Sequence, residues 1–216
     1  MATLLQIAIV LLLLGNFAML TANRLEPRIH LVSFQGALLA ALLLLVPQHD
    51  VNLMHNMLLA GAIVLIKVIG FPVLLHRTLH KVGLASYSTV RGSGHKYAVI
   101  SGMCCLVFAL WLETRLPFAQ EVYPPLFFPA ALATLFSGLI MVVGRMRALG
   151  QVLGYLVAEN GIFLLSMPLM MESSTWFELS LLLDVFVAVF VMGIAINYIN
   201  ETFESIDVGR FCSLRD

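Results

Sequence analysis

The sequence predicts an all-α, polytopic membrane protein of about seven transmembrane helices, with the N-terminus outside and the C-terminus cytoplasmic. Three observations carry that expectation. Of 216 residues, 61% are hydrophobic and 11% charged, and the mean hydropathy is +0.98; soluble domains average nearer ~45–50% and ~25%. Seven apolar runs approach or reach the ~17–25 residues that cross a bilayer. Lys and Arg fall on one side of those runs, which is the positive-inside asymmetry of a threaded chain.

The runs cover residues 3–22, 29–46, 51–75, 97–111, 126–143, 149–170 and 176–199. The first has no Lys or Arg ahead of it and is longer than the apolar core of a secretory leader, so it is expected to be retained as a span. The fourth is short. Pro117, Pro124, Pro125 and Pro129 surround the gap between the fourth and fifth, which leaves a re-entrant or interfacial segment as an alternative there. Residues 1–125 form an N-terminal four-helix region, 126–200 a three-helix region and 201–216 a cytoplasmic tail. No connection exceeds about twenty residues, so any chemistry takes place within the membrane or on other chains.

Orientation follows from counting bases. The odd-to-even connections and the tail hold Arg24, Arg28, Arg77, Lys81, Arg91, Lys96, Arg145, Arg147, Arg210 and Arg215, while the opposite connections hold only Arg115. An even number of spans would spoil that partition. Formal charge is zero, and no basic run would track a phosphate backbone, so a nucleic-acid partner is not expected. The three cysteines, Cys104, Cys105 and Cys212, form no CxxC and no Cys/His cluster, so neither an iron–sulfur nor a zinc centre is expected. His76 and His80 share a helical face, but no third ligand stands near them in the sequence. A solvated helix end is the default, and no metal or other cofactor is expected on this chain. Phosphate-cradling loops, nucleophile elbows and HExxH are absent from the sequence, so a catalytic residue has no candidate.

What the apolar runs do contain is ionisable groups. Counting from the cytoplasmic end of each run at ~1.5 Å per residue, Lys67, Glu159 and Asp184 lie roughly 12, 15 and 23 Å deep, in the middle zone of a ~30 Å hydrocarbon layer. A charge there costs ~2.5–3.5 kcal/mol on insertion scales, so it requires a partner, a proton or a cavity. Low dielectric disfavours the charged form of each group, and an opposite charge nearby restores it. Groups balanced in this way are candidates for a lateral proton relay, with Glu159 and Asp184 as acceptors and Lys67 as the modulating cation. The competing reading is a static pair, Lys67 with Glu159 or Asp184, that sets helix register. The two overlap, because a pair that breaks and reforms is a relay. Asn160, Asn56, Gln35 and Asn197 are supporting polar candidates for water chains; Glu178, within a turn of the outer end of its run, reads first as interfacial. Gly150, Gly154 and Ala158 recur every four residues, the small-xxx-small pattern of close helix packing. Gly161, directly after Glu159 and Asn160, is a candidate for helix packing or for a helix distortion.

These residues resemble a known family. Arg145 and Arg147, then GQVLGYLVAENG at 150–161, then Glu178 and Asp184, then a tail reading SIDVGRFCSLRD are similar to the hydrogenase-4 component E family. KVIGFP at 67–72 looks like that family's third helix. The last three helices are similar in plan to the K-type subunit of respiratory complex I and the C-type subunit of multisubunit cation/proton antiporters. The resemblance implies a non-redox membrane subunit of a group 4 [NiFe] hydrogenase or formate hydrogenlyase complex. Its implied partners are antiporter-like membrane subunits, the membrane anchor subunit of the hydrogenase and the lipid bilayer of the inner (cytoplasmic) membrane. The alignment places the K-type glutamate at Leu156, one turn before Glu159, and Asp184 meets the second K-type carboxylate only across a small gap. An antiporter subunit, which would lack the four preceding helices, and a freestanding seven-helix transporter are the alternatives.

Overall fold

The computed structural model describes residues 2–22, 24–45, 57, 60–61, 63–81, 94–115, 124, 126–144 and 148–167, and the described residues are helical with no strands. The elements are α1 (Ala2–Thr21), α2 (Leu25–Leu45), a π-helical segment (Val64–Gly70) running directly into α3 (Phe71–Lys81), α4 (Gly94–Glu113), α5 (Phe127–Gly144) and α6 (Ala148–Ser166). Four of them, α1, α2, α5 and α6, are long and apolar enough to cross a membrane, and Tyr97–Glu113 in α4 is a shorter apolar helix. The seventh run, and with it Glu178, Asp184 and Asn197, lies outside the described residues, as do Asn56, Arg145 and Arg147.

Local chemistry explains the boundaries. Arg28, wholly buried, donates from Nη2 to the carbonyl of Ala22 just past the end of α1. A guanidinium thus satisfies a carbonyl that the helix itself leaves open. Of the four prolines in this region, Pro124 and Pro129 are described, and both sit where a helix starts; Pro117 and Pro125 lie outside the described residues. The amide of Phe127 donates to the carbonyl of Pro124 at 2.9 Å, and Pro129 falls in the first turn of α5, where a missing N–H costs nothing. At the other edge, Arg115 turns back over the Trp111 ring at 5.6 Å.

The third run departs from a simple α-helix. The amide of Phe71 donates to the carbonyl of Ile66, five residues back, and this is the π register. Pro72 follows at once; it brings no N–H, and its ring crowds the carbonyl four residues earlier, so a wider turn relieves the clash. The wider turn also sets which side faces inward. Ile63, Lys67, Phe71, Leu75 and Leu79 are all buried, a spacing of four. On a straight helix of ~3.6 residues per turn that series drifts roughly 40° per step. The π turn rotates it back, keeping Lys67 on the buried side.

Packing is tightest between α5 and α6. A Cβ on Gly138 would lie 2.2 Å from the amide nitrogen of Ala158, one on Gly154 2.7 Å from that of Val142, and one on Gly161 2.4 Å from that of Leu135. Gly150 is buried on the same helix. α6 runs as α-helix through Gly161, so the helical distortion falls at Lys67 rather than after Glu159.

Two apolar clusters fill the interior. One joins Leu5, Ile9 and Leu12 of α1 with Leu39, Leu42 and Leu43 of α2, Phe127 and Ala131 of α5, and Phe163 of α6. The other joins Met19 and Leu20 with Ile29, Val32, Phe71, Leu75, Met141, Val152 and Leu156. Apart from Arg28 at the start of α2, the buried polar residues fall between the two sets: Asn16, Gln35, Lys67, Thr134, Ser137, Glu159 and Asn160. Gln35 stands at the midpoint of α2, about 15 Å from either end. Replacing Gly138 with alanine drives a methyl group into the backbone of α6. The expected loss is about 1–3 kcal/mol or more, read as a lowered melting temperature of the purified protein; an unchanged transition would contradict this packing.

Candidate functional site

The buried polar residues between the two apolar clusters form one layer. Lys67 reaches it from the π segment, and its passage depends on Gly36, where a Cβ would fall 2.8 Å from the Cβ of Lys67. Its Nζ lies 3.0 Å from Oε1 of Glu159, with the two side chains 4% and 1% exposed. The same Nζ donates to Oδ1 of Asn160 at 2.9 Å and sits 5.7 Å from the centroid of the Phe163 ring. Carboxylate, amide oxygen and aromatic face thus converge on one ammonium, each a favourable partner for a cation.

From Asn160 the layer continues through neutral side chains. Asn160 Nδ2 donates to Gln35 Oε1 at 3.5 Å, Gln35 Nε2 to Asn16 Oδ1 at 2.8 Å, and Asn16 Nδ2 to Thr134 Oγ1 at 2.8 Å. Thr134 donates to the carbonyl of Ala130 at 2.6 Å. α1, α2, the π segment, α5 and α6 each contribute to this one connected array. Buried polar groups cost free energy unless they are hydrogen-bonded, and here each amide has a partner on a different helix, so the layer also specifies how the helices align.

Of the sequence-derived candidates, the fold brings Lys67, Glu159, Asn160 and Gln35 together. Asp184, Glu178, Asn56 and Asn197 lie outside the described residues. Leu156, where the K-type glutamate aligns, belongs to the apolar cluster below the layer, one turn away from Glu159. Asn16 and Thr134 were not singled out from the sequence. Asn16 carried a usable signal, a polar amide inside the first apolar run; Thr134 carried little, because a helical threonine commonly returns its hydroxyl to the carbonyl four residues back. His76 is exposed, and among the described residues no group of three or more His, Cys, Asp or Glu is placed to hold a metal ion.

Among the described residues, the site holds a carboxylate and an ammonium in hydrogen-bond contact, both buried. It can hold a charge pair or, after a proton binds Glu159, a neutral acid beside a cation that Asn160 and Phe163 still hold. No protein-family model matches the chain, and no solved structure matches it. The chain is 25% identical over 213 residues to the uncharacterized protein Rv0085 of Mycobacterium tuberculosis, across 95% of this chain and 93% of that protein.

A buried pair responds asymmetrically to substitution. Lys67→Met leaves Glu159 without its cation, for which the expected loss is about 3–5 kcal/mol. The double variant Lys67→Met/Glu159→Leu removes both charges and is expected to recover most of that loss. Thermal unfolding of the three proteins in detergent checks this; two losses that simply add would contradict the pairing.

Proposed function

We propose that this chain is a multi-pass inner (cytoplasmic) membrane subunit, with no redox centre of its own, of a complex I-like group 4 [NiFe] hydrogenase of the formate hydrogenlyase type, and that it contributes to proton translocation through its mid-membrane charges. The supporting observation is a convergence. The two stretches that carry the resemblance, KVIGFP at 67–72 and GQVLGYLVAENG at 150–161, meet in space through Lys67 and Glu159 at 3.0 Å. An ionisable pair inside a bilayer is costly to keep and is, by default, part of an ion or proton pathway.

In the proposed mechanism, Glu159 alternates between carboxylate and acid. Proton uptake removes the negative partner of Lys67, and release restores it. Lys67 stays in place throughout, held by the Asn160 oxygen, so its field acts on Glu159 in both states. Asp184 is the proposed next acceptor, on a seventh helix of a topology with the N-terminus outside. Antiporter-like subunits and the hydrogenase anchor subunit are the proposed neighbours. The large apolar side chains exposed along α4, Ile100, Met103, Val107, Phe108 and Trp111 among them, suit lipid or such a neighbour.

Glu159→Gln keeps the shape and removes the titratable group. In the intact assembly it is expected to lower proton transfer at least about tenfold, the scale of ~1.4 kcal/mol, while the complex still assembles. Undiminished transfer would remove this role. Co-isolation of the native chain with a NiFe large subunit supports the assembly named here, whereas recovery with antiporter chains alone, or as a functional monomer, replaces it.

A further inference from the structure

Among the described residues, the hydrogen bonds from Lys67 through Asn160, Gln35 and Asn16 to Thr134 run in one direction. A side-chain amide has a donor end and an acceptor end, and one proton decides how each is turned. The Thr134 hydroxyl commits its hydrogen to the carbonyl of Ala130 at 2.6 Å, so towards Asn16 it can only accept. Asn16 must therefore present its NH2 to Thr134 and its oxygen to Gln35. Gln35 presents its NH2 to Asn16 and its oxygen to Asn160. Asn160 in turn presents its NH2 to Gln35 and its oxygen to Nζ of Lys67. Three amide dipoles thus point their negative ends the same way, at the point where the Glu159 carboxylate and the Phe163 ring also converge.

Two buried oxygens turned on one point, the Glu159 carboxylate and the Asn160 amide, are the kind of donor a monovalent metal cation takes in exchange for part of its hydration shell. Here that point is filled by an ammonium that the chain itself supplies, a compact cationic charge on a flexible stem. We propose that the polar layer is a built seat for one monovalent cation, that Lys67 is its resident occupant, and that the site consequently handles protons and does not take sodium. A sodium ion entering would stand against a like charge in low dielectric, which repels it. A proton needs no seat; it goes to the Glu159 carboxylate, and the amides, which neither gain nor lose protons readily, only hold the geometry. Thr134 and Asn16 are then positioning residues, acting on Lys67 through the amides between them. That the seat serves proton movement rests on the function proposed above; that it is a cation seat does not.

The test uses the full-length chain, purified in detergent and melted in sodium chloride or in choline chloride at equal ionic strength. Wild-type protein is expected to melt alike in both salts and to show no saturable broadening of the sodium-23 resonance. Lys67→Ala keeps the Cβ that packs against Gly36 and vacates the seat. It is expected to gain a saturable, sodium-specific rise of about 2 °C or more. Adding Glu159→Gln should abolish that rise, and adding Thr134→Val should weaken it, while Thr134→Ser, which keeps the hydroxyl, should preserve it. A Lys67→Ala chain recovered in sodium but not in choline is the same result in stronger form. A folded Lys67→Ala chain indifferent to sodium overturns the proposal. So does saturable sodium binding by the wild-type chain that Glu159→Gln removes, a measurement that needs no folded lysine variant. None of these outcomes depends on which complex the chain joins, so this proposal and the hydrogenase assignment fail separately.

Discussion

Everything in this structure is subordinate to keeping Lys67 within hydrogen-bond distance of Glu159 in the middle of an apolar bundle. Either charge alone at that depth would cost several kcal/mol. Together, and with Asn160 accepting from the same ammonium, they form a unit that burial among apolar side chains strengthens, because the local dielectric is low. The two apolar clusters above and below the layer provide those surroundings.

Meeting that constraint explains features that look unrelated along the chain. The π segment turns Lys67 inward where an unbroken helix would let it drift round, and Pro72 makes the wide turn the less strained choice. Gly36 clears the way for the lysine stem. Gly138, Gly154 and Gly161 let α5 and α6 approach until backbone meets backbone, which brings Thr134 and Asn160 into one array through α1 and α2. Small residues serve here where soluble proteins would use a hydrophobic seam, since lipid offers no drive for apolar helices to associate.

How much of this was legible beforehand depends on the kind of signal each residue gives. Lys67 and Glu159 stand out because ionisable groups inside an apolar run are rare and expensive. Their partners Asn160 and Gln35 are visible for a weaker version of the same reason. Asn16 is visible in principle, and Thr134 is not, since its role comes from which helix it faces. The inward series at 63, 67, 71, 75 and 79, with a proline after the third member, is a sequence signature of the π turn, detectable only by asking whether a strict spacing of four can stay on one face. Hydropathy placed α1, α2, α5 and α6, whose apolar lengths match a bilayer. It could not foresee that Pro124 and Pro129 would stand at a helix start, because a proline is harmless in a first turn and disruptive anywhere later.

The central claim is a contact between two particular side chains in a bilayer, and it can be observed directly. The chain has lysines at Lys67, Lys81 and Lys96, so a Lys81→Arg/Lys96→Arg background leaves Lys67 as the sole source of a lysine side-chain nitrogen signal. With nitrogen-15 lysine and carboxyl-carbon-13 glutamate, solid-state NMR dipolar recoupling in lipid membranes reports the separation of Nζ from the glutamate carboxyl carbon. The N to O distance of 3.0 Å requires that separation to be under about 4 Å, with the signal lost in Glu159→Gln. A well-resolved Lys67 resonance showing no such coupling would contradict the account.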